Sequence, residues 1–170
     1  MPDRVLRPAT AADLPAAERL WLMFHHDMSA FSRELPGPDG AFRRDRLDAA
    51  FTEADRAPYL LLSGDRPAGL AFVRGLTGPA RVLNSFFVVH GARRSGLGLW
   101  AAREVVARHP GPWEIPFQDA NAGAVAFWRR VAADIAGDAW TEERRPVPGR
   151  PGVPPDVWIS FGEPAFNSAV

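Results

Sequence analysis

Arg93, Arg94, Ser95, Gly96, Leu97 and Gly98 spell R-x-x-G-x-G, and their surroundings give that spelling a use. Phe86, Phe87, Val88 and Val89 before them read as the end of an apolar strand, and a helical pattern runs on through about His109. Glycine at a strand-to-helix turn lets backbone N–H groups converge with no Cβ in the way. The helix start adds free donors and partial positive charge. Such a turn suits a phosphate, and in particular the diphosphate of a cofactor. A P-loop needs a lysine followed by Ser or Thr, and this chain has no lysine. A dinucleotide loop needs G-x-G-x-x-G early in a βαβ unit, whereas this turn follows an antiparallel sheet. A glycine-rich turn that binds nothing is the competing reading of so short a motif.

The elements that must position this turn are legible in outline. Val5, Leu6 and Arg7 make a short first strand, and Thr10 with Asp13 opens a helix. Leu14, Ala17, Trp21, Phe24 and Met28 recur every three or four residues and share one buried face. Residues 31–55 read as a loop holding a short helix near 46–51. Residues 59–63 and 68–74 form a hairpin around Gly64 and Asp65. A strand over 82–89 leads into the glycine turn. After the helix, Pro110, Gly111 and Pro112 force a stop. Residues 113–117 form the next strand, and Pro116 within it cannot donate a ladder hydrogen bond, so the strand should splay from a neighbour there. A helix over 122–135 and strands near 139–143 and 156–161 complete the chain, with a charged, Pro-rich loop over 144–155.

The chain's 170 residues fit one domain, with its core over about 4–161. Twenty basic and twenty acidic residues cancel, which argues against nucleic acid as partner. The absence of cysteine excludes disulfides, Cys-ligated zinc and a thioester on the protein. No apolar run reaches the ~18 residues of a membrane span, and residues 1–4 do not resemble a signal peptide. A cytoplasmic protein without membrane or metal partners is the expectation.

Three local matches, in order, resemble the Gcn5-related N-acetyltransferases. R-x-x-G-x-G after an antiparallel sheet is similar to the family's pyrophosphate-binding motif. Asn121, Ala122, Gly123, Ala124, Val125, Ala126, Phe127 and Trp128 resemble its N-x-x-A-x-x-[FL]-[YW] segment. Arg7, Pro8, Ala9, Thr10 and Asp13 resemble its opening. The resemblance implies an α/β (α+β) fold, a mixed, mostly antiparallel sheet flanked by helices, and acetyl-CoA as cosubstrate. It further implies that backbone at Val88, Val89 and His90 pairs with pantetheine. The N–H groups of Arg93, Arg94, Ser95, Gly96, Leu97, Gly98 and Leu99 would hold the pyrophosphate. Asn121 would touch the cofactor through its side chain. Phe127 is either core or cofactor wall.

The implied reaction is direct attack of a small molecule's primary amine on the acetyl thioester in a ternary complex. The amine must lose a proton, the oxyanion needs a donor, here backbone N–H near Val88, and the thiolate leaves with help from an acid. The chain departs from the family at each side-chain role. Trp128 stands where a tyrosine donor is usual, and an indole gives a hydrogen bond but not its proton. The one tyrosine, Tyr59, lies on an early strand. Ser85 replaces a strand carboxylate, and His90 replaces a proline. The catalytic candidates are Glu114, His25, Asp27 and Ser85, with His26 and His90 beside them. The bland reading of residues 25–27 is a helix end that complements the dipole. A weak acyl-CoA-binding regulatory module and a protein N-terminal acetyltransferase are the alternative functions, and a homodimer remains open.

Overall fold

The computed structural model describes residues 2–164 of the chain. Among them seven strands form one sheet, with four helices against its two faces. β1 (Arg4–Pro8) is followed by a short 3-10 turn and α1 (Leu14–Ser32). The helix starts later than Thr10 because the Asp13 carboxylate is engaged, accepting from the Thr10 N–H at 2.8 Å and pairing with Arg7 at 2.8 Å. It also runs past Phe31, the expected loop start, and stops where Arg33 adopts a left-handed φ of 58°. Ala17, Trp21 and Phe24 are buried as the periodicity requires, while Leu14 and Met28 are half-buried. Leu20 and His25 join the buried set.

α2 (Asp45–Thr52) precedes the hairpin of β2 (Arg56–Ser63) and β3 (Arg66–Arg74), and β4 (Arg81–Val88) follows. Then come α3 (Leu97–Arg108), β5 (Trp113–Gln118), α4 (Ala122–Ala136), β6 (Trp140–Arg145) and β7 (Asp156–Phe161). The sheet order is β1-β2-β3-β4-β5-β7-β6. All neighbours are antiparallel except β4 and β5. This is the mixed, mostly antiparallel α/β architecture expected from the sequence. Strand alternation sends Leu61, Ala71, Val73 and Ile115 to α3 and α4, and Leu60, Leu70 and Phe72 to α1 and α2.

The parallel pair β4–β5 has only two rungs, Arg81 opposite Trp113 and Val82 opposite Glu114. Two local features coincide with its end. Asn84 is an extra residue in β4, because Phe72 faces Ser85 while Val73 faces Leu83. A bulge bends and overtwists its strand. On β5, Pro116 lacks an N–H, yet its ladder with β7 continues through Pro116 opposite Trp158. The expected splay therefore opens on the β4 side.

Tyr59 is remote from that opening. Its hydroxyl meets His109 Nε2 at 2.7 Å beneath α3. Burial, then Arg81 and Arg108, hold the His109 imidazole below its ordinary value of 6.5. A histidine kept neutral in the fold but free to charge when unfolded contributes stability above pH 6.5 that is lost as pH falls. Urea midpoints should fall between about pH 7 and 5. His109→Gln, which still accepts from Tyr59, should reduce that dependence, leaving the part due to the other buried histidine, His25.

Candidate active site

Where β4 and β5 part, the backbone of β4 keeps β3 on one side and has no strand on the other. The Val89 N–H donates to Ala68 O at 2.9 Å on the β3 side. Antiparallel alternation then turns the N–H groups of Phe86 and Val88 toward the β5 side, into the wedge. The wedge opens into a cavity of about 640 Å³ between α1, α2, β4, β5 and residues 147–156. Ser85, Phe86, Phe117 and Trp128 form its sheet and α4 walls, and Trp21 and His25 its α1 wall.

This cavity collects unsatisfied polar groups. His25 Nε2, Asn84 Oδ1 and Ser85 Oγ are buried without a hydrogen-bond partner, and all three residues line it. Each such atom costs about 1–3 kcal/mol unless something fills the need. Folded proteins keep few of them, and three around one cavity give it polar groups free to bind. Trp128 packs edge-on against Phe86 at 5.1 Å and turns its indole toward the same cavity wall.

His25 sits 9% exposed between Trp21 at 4.5 Å and Phe42 at 5.3 Å. Burial pushes its imidazole below 6.5. Arg46 and Arg43 push the same way, against Glu34. It is therefore a neutral imidazole at neutral pH, able to accept a proton.

The glycine turn stands at the far end of β4. Arg94 (φ 60°) and Gly96 (φ 81°) both take left-handed backbone. The Arg93 N–H is used by His90 O at 3.1 Å, and the Leu97 N–H by Ser95 Oγ at 3.3 Å. Those of Arg94, Ser95, Gly96, Gly98 and Leu99 have no partner among the described residues. Of the seven amides in the expected set, five are thus free and two are bonded within the protein. Five free amides at a helix start fit a pyrophosphate. A Cβ on Gly98 would meet the Phe127 ring at 3.3 Å. Phe127 is half-buried and packs against the core, 5.8 Å from Phe86 and 4.7 Å from Trp128.

Other expected residues acquire different partners. Asp27 lies away from the cavity: its carboxylate is paired with the Arg93 guanidinium and with His90 Nε2 at 3.3 Å. His26 is exposed beside it. Glu114 occupies the last closed rung and pairs with Arg145 at 2.9 Å. Neither carboxylate is brought to His25 or Ser85. The backbone at Val88, Val89 and His90 is also partly occupied. Val88 O accepts from Arg93 Nε at 2.7 Å, Val89 O from the Ala92 N–H and His90 O from the Arg93 N–H. The Val88 N–H remains the one aimed into the wedge. Asn121 lines the cavity, but its Oδ1 caps α4 by accepting from the Ala124 N–H at 3.0 Å. Sequence reasoning missed Arg46, Trp21 and Phe42. Trp21 read as core, and nothing marks Arg46 among twenty basic residues.

Solved structures share this fold. An acetyltransferase from Thermus thermophilus is 18% identical, with 95% of this chain and 99% of that one covered at a TM-score of 0.68. A GNAT-family acetyltransferase from Staphylococcus aureus is 11% identical over 94% and 99%, at 0.65. The chain has the GNAT acetyltransferase fold. The spermidine N-acetyltransferase of Vibrio cholerae, solved with CoA and spermine, is 11% identical over 94% and 95%, at 0.65. No protein-family model and no curated protein sequence matches the chain. At these identities the likeness establishes the GNAT fold and leaves the chemistry to the residues. No helix among the described residues is long and apolar enough to cross a membrane, and no group of three or more metal-ligating side chains occurs among them.

If the turn holds a pyrophosphate, Gly98→Val should push Phe127 across the groove, and Gly96→Val should strain a left-handed residue. Each should weaken CoA binding by about 2 kcal/mol, or roughly thirtyfold. Calorimetry with CoA reads this, and unchanged affinity in both variants would remove the turn from the site.

Proposed function

We propose that the chain is an acetyl-CoA-dependent N-acetyltransferase that acts on a primary amine of a small molecule by direct attack in a ternary complex. The observation that carries this reading is the pairing of five free amides at the α3 start with an open β4 edge that runs into a cavity of unsatisfied polar groups. Acetyl-CoA would supply the activated acyl thioester. The turn amides would hold its diphosphate, and Phe127 with the Val88 backbone would line its arm. The spermidine enzyme, solved with CoA, supports the cosubstrate by fold likeness. A single domain over 1–170, and a cytoplasmic setting, complete the proposal.

The residues divide the work as follows. The Val88 N–H points where the oxyanion forms and is a preorganised donor for it. His25 is the proton acceptor for the incoming ammonium, because aromatic packing and neighbouring guanidinium groups keep it neutral. Ser85 Oγ and the Trp128 N–H orient the amine or the leaving sulfur by hydrogen bonding. The thiolate needs little help, since a free thiol's pKa is near 8.5. With no cysteine in the chain, no acyl-thioester intermediate on the protein is available.

The test is release of free CoA thiol with a library of amines. His25→Gln should lower kcat/KM by about a hundredfold, the usual scale for general base catalysis. It should also abolish an acid limb with its midpoint below pH 6.5, since the imidazole must be neutral to act and its pKa is depressed. Trp128→Phe should cost less than about a hundredfold in kcat. A larger loss in a folded variant would make the indole N–H essential. An intact acid limb in His25→Gln would place the base elsewhere.

A further inference from the structure

The charges around the cavity do not cancel locally. Asp45 is paired with Arg43 at 3.3 Å, and Asp119 with Arg144 at 2.8 Å. Arg46, Arg150, Glu34 and Asp156 also line the cavity, and none has an oppositely charged partner within 4.0 Å among the described residues. Arg46 is the best defined of these. Its Nη1 donates to Asn84 O at 2.8 Å, and its guanidinium lies 5.5 Å from the Trp21 ring centre. A guanidinium carries five N–H donors, and one is used. Desolvation lowers the Arg46 pKa, and burial raises that of Asp156. Each group feels the other's charge, and neither is neutralised by a close contact.

Position adds to this. Arg46 is fastened to the bulged residue of β4, and Phe86, whose N–H opens the wedge, is two residues further on. Two residues of extended strand span about 7 Å. An anion on Arg46 would therefore sit short of the wedge, about 7 Å along β4 from Phe86 and about 13 Å from Val88, the oxyanion donor.

Resting on the acetyl-transfer reading, we propose that the acceptor is an amine that also carries a carboxylate, a free amino acid in chemical class, with Arg46 receiving the carboxylate. A planar guanidinium with free paired donors matches a carboxylate bidentately. Asp156 supplies the opposite sign and favours the ammonium end. The unpaired groups are two guanidiniums, Arg46 and Arg150, and two carboxylates, Glu34 and Asp156, so a ligand that carries both signs meets both. The cavity thus selects for a zwitterion rather than for positive charge alone.

The test compares the twenty L-amino acids, their carboxamides, spermidine and kanamycin as acceptors. At least one amino acid should exceed its own carboxamide by about tenfold or more in kcat/KM, the scale of a charge-assisted hydrogen bond. Arg46→Gln should bring the two within about threefold, through KM, and Arg46→Lys should restore part of the difference. CoA affinity, read by calorimetry, should be unchanged in both variants. Saturation-transfer NMR of the same amino acids and carboxamides without CoA gives a readout independent of catalysis. Wild type should contact the acids and not the carboxamides, and Arg46→Gln should lose that preference. Absence of CoA binding would sink the acetyl-transfer reading, while the NMR comparison would still decide the role of Arg46. CoA binding with equal treatment of acid and carboxamide, or a preference for spermidine, would overturn the zwitterionic acceptor.

Discussion

The early parting of β4 and β5 is the constraint on which the other features depend. A parallel pair that stopped pairing inside a closed core would strand several backbone groups, and such groups are costly when buried and unmet. Here the stop is enforced from both strands, by the bulged Asn84 on one and by Pro116, with no N–H, on the other. Continuous pairing of β5 with β7 keeps the sheet in one piece across the break. The fold gains an open polar edge, Phe86 to Val88, without losing the layered core on either face. α3 then starts after the short turn that follows that edge.

Electrostatic contacts decide what is left free along that edge. Arg93, the first residue of the glycine motif, turns back onto Val88 O and Asp27 instead of pointing outward. This pins the α3 turn to α1 and holds the amide cluster in shape. It also means that anything running beside β4 shares the Val88 carbonyl with Arg93, so the Val88 N–H is the cleaner contact. On the acceptor side the balance is reversed. Arg43, Arg44 and Arg145 are satisfied by carboxylates, whereas Arg46 is not. Rigid aromatic packing of Trp21, Phe24 and Phe72 fixes the wall on which it lies.

The sequence carried the local features and hid the long-range ones. Glycine spacing and the strand before it located the strand-to-helix turn at the α3 start, because both are properties of neighbouring residues. Pro116 announced the splay for the same reason. The insertion of β7 between β5 and β6 could not be read, since antiparallel return leaves no mark in either strand. Asp27 looked available because its partners lie 63 and 66 residues away. Glu114 looked like a base until Arg145, 31 residues on, took its carboxylate. α1 overran its expected end because Arg33, not a glycine, takes the left-handed cap. His25 was a candidate by type, but its depressed pKa depends on Phe42 and Arg46, which folding alone brings to it.

The most direct measurement is a titration of 15N-labelled protein with CoA, following backbone amide resonances. A pyrophosphate held by the turn should move the amides of Arg94, Ser95, Gly96, Gly98 and Leu99 downfield together, with that of Val88 following as the arm enters the wedge. The amides of Arg93 and Leu97, already bonded within the protein, should move less. Shifts that cluster on α1 or on β6, with the α3 start unmoved at saturating CoA, would contradict the site at its foundation.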